Sequence, residues 1–172
     1  MNIYGGCCRG CLYCDSRSAC YQNPDFDTVK AKADALRILR DDLARKVRPA
    51  FIATGTMSDP YNPFEASLQL TRHALELIDA YQCGAAIATK SDLIVRDRDI
   101  LDSIARHSPV ICKLTITTTD DALAARLEPG APSPSRRLAA LRELADRGLF
   151  AGVLLMPVLP FLEDTEENVL EV

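Results

Sequence analysis

The sequence predicts an α/β fold in which parallel strands are joined by crossover helices, because short β-rich apolar runs alternate with longer amphipathic segments from end to end. Two further observations frame that reading. The length of 172 residues suits one well-buried domain, and five of the seven cysteines are crowded between residues 7 and 20. No linker interrupts the alternation, so residues 1-172 read as a single domain. Alternation of this kind closes into a complete or partial barrel or opens into a doubly wound sheet, and in either case ligands gather at the C-terminal ends of the strands.

Residues 2-5 read as a short strand entering the cysteine loop, and 27-47 (DTVKAKADALRILRDDLARKV) space their apolar positions as a helix that Pro49 ends. A second strand at 50-55 (AFIATG) leads into a loop of turn formers, TMSDPYNP, and a helix from about Phe64 to Tyr81. Gly84 marks the next turn, and a third strand follows at 85-90, a helix at about 97-106 and a fourth strand at 110-117. Asp120 is placed to cap the helix after it. Beyond the proline-rich break 129-134, Ser135 opens a helix to Arg147, Gly148 closes it, 150-156 forms a fifth strand, and 165-172 begins one more helix. The chain thus holds about five strand-helix units, and the loops starting at Gly6, Thr54, Lys90, Thr117 and Pro157 share one end of the sheet.

Composition narrows the function classes. A net charge of -4 argues against a polybasic nucleic-acid surface. Arg136, Arg137, Arg142 and Arg147 share a predicted helix, but Glu143 and Asp146 are interleaved, which reads as a solvated face. With no basic-then-apolar leader and no apolar run of membrane-crossing length, a cytoplasmic location is expected.

Cys7, Cys11 and Cys14 form a C-x3-C-x2-C spacing flanked by Gly5, Gly6 and Gly10, which let the backbone curl around a bulky inorganic core. Three thiolates would leave one iron of a cubane open to an exogenous ligand. The alternative is a closed structural zinc loop with Cys20 or Cys8 as fourth ligand. Cys8, Cys11 and Cys14 also make a regular C-x2-C-x2-C run, so spacing leaves that choice open. His73 and His107 fall in or at the end of helices and read as ordinary surface residues. Cys83 and Cys112 read as bystanders, Cys112 packing as a small hydrophobe in its strand.

The C-x3-C-x2-C motif with Tyr13 before its last cysteine resembles the signature of the radical S-adenosylmethionine (SAM) superfamily. The stretches NIYGGC, TMSDPYNP, ATKS at 88-91, TITTTDDALAARLEPGAPSPSRRLAALRELADRG at 115-148 and MPVLP at 156-160 resemble the spore photoproduct lyase-like, or DNA repair photolyase-like, branch. The resemblance implies a partial TIM-type (β/α)6 barrel, of which this chain supplies about five units and lacks the C-terminal part. It implies a [4Fe-4S] cluster on Cys7, Cys11 and Cys14 and SAM as second cofactor, cleaved reductively to a 5′-deoxyadenosyl radical that abstracts hydrogen from an unknown substrate. Tyr13 would lie near the adenine, Ser58 and Asp59 at the methionine amino end, Lys90 at the SAM carboxylate, Thr115 at the carboxylate or ribose, and Met156 with Pro157 beside the adenosyl group. The implied partners are the substrate and an electron donor such as flavodoxin or ferredoxin.

Three positions depart from the branch. In spore photoproduct lyase itself a cysteine that returns hydrogen to the product radical precedes the Ser-Asp pair by two residues, where this chain has Thr56. Gly5 stands where the branch often has Arg, and Phe161 where a Gly often follows the proline. The resemblance therefore points away from the lyase reaction itself. The rival readings are a zinc-stabilised module binding nucleic acid or protein, and a catalytically inactive radical SAM-like fragment.

Overall fold

The computed structural model describes every residue from Met1 to Val172. Strand β1 (Tyr4–Gly5) pairs antiparallel with β2 (Lys30–Ala31). A separate sheet of four parallel strands runs in chain order: β3 (Phe51–Thr54), β4 (Gly84–Thr89), β5 (Val110–Thr115) and β6 (Phe150–Leu154). Its register sets Ile52 beside Ala85, Ile87 beside Cys112, and Lys113 beside Gly152. The helices are α1 (Ala35–Arg45), α2 (Glu65–Leu68), α3 (Leu70–Ala80), α4 (Arg98–Ala105), α5 (Asp121–Leu127), α6 (Pro134–Asp146) and α7 (Glu166–Glu171).

Central strand β4 is buried along nearly its whole length, as a parallel strand covered on both faces must be. Ile52, Ile87, Cys112 and Leu114 of the sheet join Leu75 and Ile78 of α3, Leu101 and Ile104 of α4, and Leu141 and Leu144 of α6 in one core. Each such Leu or Ile contributes about 1.5–3 kcal/mol by leaving water. Cys83 and Cys112 are fully buried within this core, which pushes the Cys112 thiol up to about 12.

Local signals fix the helix ends. The Asp120 carboxylate accepts from the Ala122 and Leu123 amides at 2.8 and 3.0 Å, capping α5 as expected. Helix α6 begins earlier than Ser135: Ser133 caps it, and Pro134 occupies the first turn, where a missing N–H costs nothing. Gly148, at φ +80, ends it.

Four expectations are corrected. First, residues 27-34 are not helical, and α1 starts only at Ala35. The buried cysteine loop needs acceptors, and Phe26 supplies its carbonyl to the Cys7 amide at 2.7 Å while Lys32 donates to Ile3 at 3.0 Å, so tertiary pairing overrides helical spacing. Second, the predicted first strand consequently belongs to the small antiparallel pair, leaving four rather than five strands in the parallel sheet. Third, the helix predicted from Phe64 to Tyr81 breaks at Gln69, which takes φ 52. The break lets buried Glu65 accept from the Thr71 and Arg72 amides at 3.0 and 3.3 Å, capping α3 with a side chain. The same carboxylate accepts from Tyr4 Oη at 2.5 Å and Arg96 Nη2 at 2.8 Å. Fourth, the turn assigned to Gly84 falls at Gln82, and Gly84 opens β4 with its α-carbon against Phe51 and the Pro109 carbonyl.

No helix is long and apolar enough to cross a membrane. Of the branch departures, Gly5 has open space where a Cβ would stand, so a larger residue fits there without moving the backbone. Phe161 is different: it sits at φ 66 with its ring 95% exposed. A left-handed conformation costs an L-residue about 1–2 kcal/mol, and glycine's extra unfolded-state entropy offsets only part of that. Phe161→Gly is expected to raise unfolding stability by about 0.5–1 kcal/mol, seen as a higher denaturant midpoint at unchanged m-value.

Candidate functional site

The loop from Gly6 to Cys14 is shaped by glycine and held by its neighbours. Gly6 takes φ +73, and a Cβ there would lie 2.3 Å from the Thr28 carbonyl oxygen and 2.6 Å from that of Phe26. Leu12 donates its amide to the Leu127 carbonyl at 2.9 Å, and Gly130 donates to that of Arg9 at 2.8 Å. The Arg9 side chain is buried and reaches three places at once. Its Nε meets Asp59 at 3.2 Å, Nη1 the Gly130 carbonyl at 3.0 Å, and Nη2 the Tyr61 carbonyl at 2.6 Å.

All nine residues expected at a cofactor site, Cys7, Cys11, Cys14, Tyr13, Ser58, Asp59, Lys90, Thr115 and Met156, line one cavity of about 430 Å³. It opens at the C-terminal ends of β3 to β6 and also takes in Arg9, Thr56, Met57, Leu154 and Pro157. Cys11 is pushed up to about 11 by burial, with Glu128, Cys7 and Cys14 adding to the shift and Lys90 opposing it. Burial also raises Cys7. The Cys7 and Cys11 thiols therefore stay protonated at neutral pH, and metal binding would displace their protons.

The donor set fits an iron-sulfur cluster. Three thiols face one cavity, while Cys8 and Cys20, either of which a closed zinc site would need, are absent from its lining. Cys20 is exposed on a single-turn helix at Ala19–Tyr21. The thiols do not converge tightly enough to enclose a single ion, and ligands to different irons of one cluster need not.

The side chains of Ser58 and Asp59, the two residues expected at the methionine amino end, are already engaged. Ser58 Oγ donates to the Tyr4 carbonyl at 3.0 Å. Asp59 accepts from the Tyr61 amide at 2.9 Å, Thr89 Oγ1 at 2.5 Å, the Lys90 amide at 3.3 Å and Arg9 Nε, filling the roughly four acceptor positions of a carboxylate. Both side chains thus brace the loop that lines the cavity. Lys90 is the cationic side chain in the lining whose charged nitrogen makes no hydrogen bond to the protein, whereas Arg9 makes three. Its Nζ lies 5.4 Å from the Tyr13 ring centroid and 3.9 Å from Glu128 Oε1. Met156 stands at the rim, largely exposed.

Sequence reasoning missed Arg9, Glu128 and Arg137. Arg137 corrects the expectation of a solvated arginine face, for it is 1% exposed, 2.5 Å from Glu128 Oε2, and donates to the Thr115 carbonyl at 2.6 Å. The neighbouring Arg136, Arg142 and Arg147 are exposed. The one available signal was the pairing of an acid in LEP with a basic residue at the start of the next helix.

The family model of the radical SAM superfamily matches residues 1–172. The chain belongs to that superfamily. Two relatives are uncharacterized proteins: one of Mycobacterium tuberculosis, 33% identical over 98% of this chain and 52% of its own length, and one of Methanocaldococcus jannaschii, 32% identical over 96% of this chain and 62% of its own. The chain therefore spans only about half to three-fifths of these relatives. Among solved structures, spore photoproduct lyase complexed with dinucleoside spore photoproduct superposes at TM-score 0.71 and 19% identity, over 98% of this chain and 48% of that one. A variant of that lyase with bound AdoMet and dinucleoside spore photoproduct superposes at 0.65 and 21% identity, over 91% and 44%. At this identity the likeness is one of fold, and it supports the α/β partial-barrel architecture of radical SAM proteins for this chain.

The packing of the cysteine loop against residues 127-130 gives a direct test. A Cβ on Gly130 would lie 2.7 Å from the Arg9 carbonyl oxygen and 2.9 Å from that of Cys8. Gly130→Ala is expected to lower stability by about 1–3 kcal/mol through this backbone clash, measured by denaturant unfolding of the metal-free protein.

Proposed function

We propose that this chain forms the cluster- and SAM-binding part of a radical SAM enzyme that abstracts hydrogen from a substrate. The observation that carries the proposal is the gathering of Cys7, Cys11 and Cys14 with the C-terminal ends of four parallel strands around one cavity. Ligand binding at that end of a parallel sheet is the general rule, and the family assignment names the ligands. When bound, a [4Fe-4S] cluster and SAM supply one-electron cleavage of the sulfonium and a carbon radical able to take hydrogen from an unactivated C–H bond.

The protein's own work is to bind, orient and exclude. Cys7, Cys11 and Cys14 hold three irons and leave one open. Tyr13 borders the adenine, the Ser58–Asp59 backbone meets the amino end of SAM, Lys90 its carboxylate, Thr115 the carboxylate or ribose, and Met156 the adenosyl group. Lys90 suits that duty physically, because a compact ammonium with three donors is a point charge for an anionic group. Leu154, Met57 and Pro157 add apolar surface to the cavity lining. Reduction calls for a one-electron donor of the flavodoxin or ferredoxin class, acting in the cytoplasm.

Anaerobic reconstitution with iron and sulfide is expected to give a reducible [4Fe-4S] EPR signal that changes when SAM is added, and to survive Cys20→Ser. Each of Cys7→Ala, Cys11→Ala and Cys14→Ala is expected to abolish it. A colourless protein holding zinc, with Cys20 required, would make this a structural metal module instead.

Thr56 lines the cavity where spore photoproduct lyase carries its hydrogen-returning cysteine, and a hydroxyl has no weak S–H bond to donate. The reconstituted protein is therefore expected to restore no thymine from spore photoproduct. Restored thymine would place it with the lyase itself.

A further inference from the structure

Glu128 is absent from the cavity lining yet reaches three of the elements that build it. Only 2% of it is exposed. One carboxylate oxygen accepts from the Tyr13 hydroxyl of the cysteine loop and lies 3.9 Å from Lys90 Nζ at the end of β4. The other meets Arg137 Nη2 at 2.5 Å, and Arg137 in turn donates through Nη1 to the Thr115 carbonyl at the end of β5. The Glu128 amide closes the last turn of α5 onto the Ala124 carbonyl at 2.7 Å. The carboxylate is thus fixed from behind while its front oxygen faces Tyr13 and Lys90.

The charges explain why this arrangement leaves Lys90 useful. A buried carboxylate with no other cation would draw the ammonium into a full hydrogen bond and cancel its charge. Arg137 neutralises Glu128 first, so Lys90 is attracted but not captured, and the three groups together carry a charge of +1. Lys90 is left over the Tyr13 ring, 19% exposed, with its donors available on the cavity side.

We infer that Glu128 is a positioning residue: it holds Lys90 ready for an anionic group of the cofactor and ties that residue to the cysteine loop through Tyr13. The inference rests on the functional reading above, with the SAM carboxylate as the anionic group. A glutamine at 128 can keep Arg137 on its oxygen only by donating its amide to the Tyr13 oxygen, which reverses that hydrogen bond and turns an N–H instead of an acceptor toward Lys90. It also exerts no charge on Lys90. The lysine then returns to its free rotamers and must be ordered again when ligand binds, a cost that corresponds to an affinity loss of about threefold to tenfold.

The test is a double-mutant cycle on the anaerobically reconstituted protein, with SAM titrated against the change in the EPR signal of the reduced cluster. Glu128→Gln is expected to raise the Kd for SAM about threefold to tenfold, with iron and sulfide content and the SAM-free spectrum unchanged. In a Lys90→Met background the same substitution is expected to add almost nothing, because its effect travels through the lysine. Equal losses in both backgrounds, or none in the first, would overturn the inference. Should Glu128→Gln fail to fold, Glu128→Asp keeps the charge for Arg137 but draws the front oxygen back from Lys90, and the same cycle and criteria apply. A wild-type cluster indifferent to SAM would overturn the functional reading itself, an outcome separate from the failure of the cycle.

Discussion

The site depends on one buried ion pair, Arg9 with Asp59, whose side chains are each only 7% exposed. Removing two charges from water is expensive, and the pair is tenable because both partners make further hydrogen bonds. Arg9 gives two of its bonds to backbone carbonyls, and Asp59 takes its others from Thr89 and from the amides of Tyr61 and Lys90. The pair therefore clamps the cysteine loop, the β3 loop, the end of β4 and the turn before α6 into one rigid floor. Losing either partner would leave a buried charge uncompensated, which typically costs about 3–5 kcal/mol.

A second buried pair, Glu128 with Arg137, braces the opposite wall. The two have different consequences for charge in the cavity. Arg9 and Asp59 neutralise each other, whereas Glu128 and Arg137 leave Lys90 partly free and so give the cavity a net attraction for an anion.

Much of the fold was legible because its signals are local. Strands such as 110-117 and caps such as Asp120 depend on a few adjacent residues, and the cysteine spacing marked three thiols that share one cavity. The glycine that the branch often has where this chain has Phe161 suits the backbone, which takes a positive φ there. What could not be read depends on distant partners. Residues 27-34 have helical spacing, yet Lys30 and Ala31 pair as a strand with Gly5 and Tyr4, and Lys32 is bonded to Ile3. Arg137 shares a helix with solvated arginines, and only the position of Glu128 and the Thr115 carbonyl shows that it points inward. Arg9 looked like a spacer between cysteines, since its partners lie 50, 52 and 121 residues away.

Those separations also carry a consequence for how the protein is made. Closing contacts across such spans is the slow, entropically costly part of folding, and local helices and turns form well before them. The cysteine loop leaves the ribosome more than a hundred residues before Gly130 and cannot take its shape until Gly130 has followed. At roughly 5–20 residues per second, that leaves several seconds in which the thiols sit in an unstructured chain. A cofactor that needs all three thiols in one place would therefore find no preformed site until the sheet has closed behind the loop.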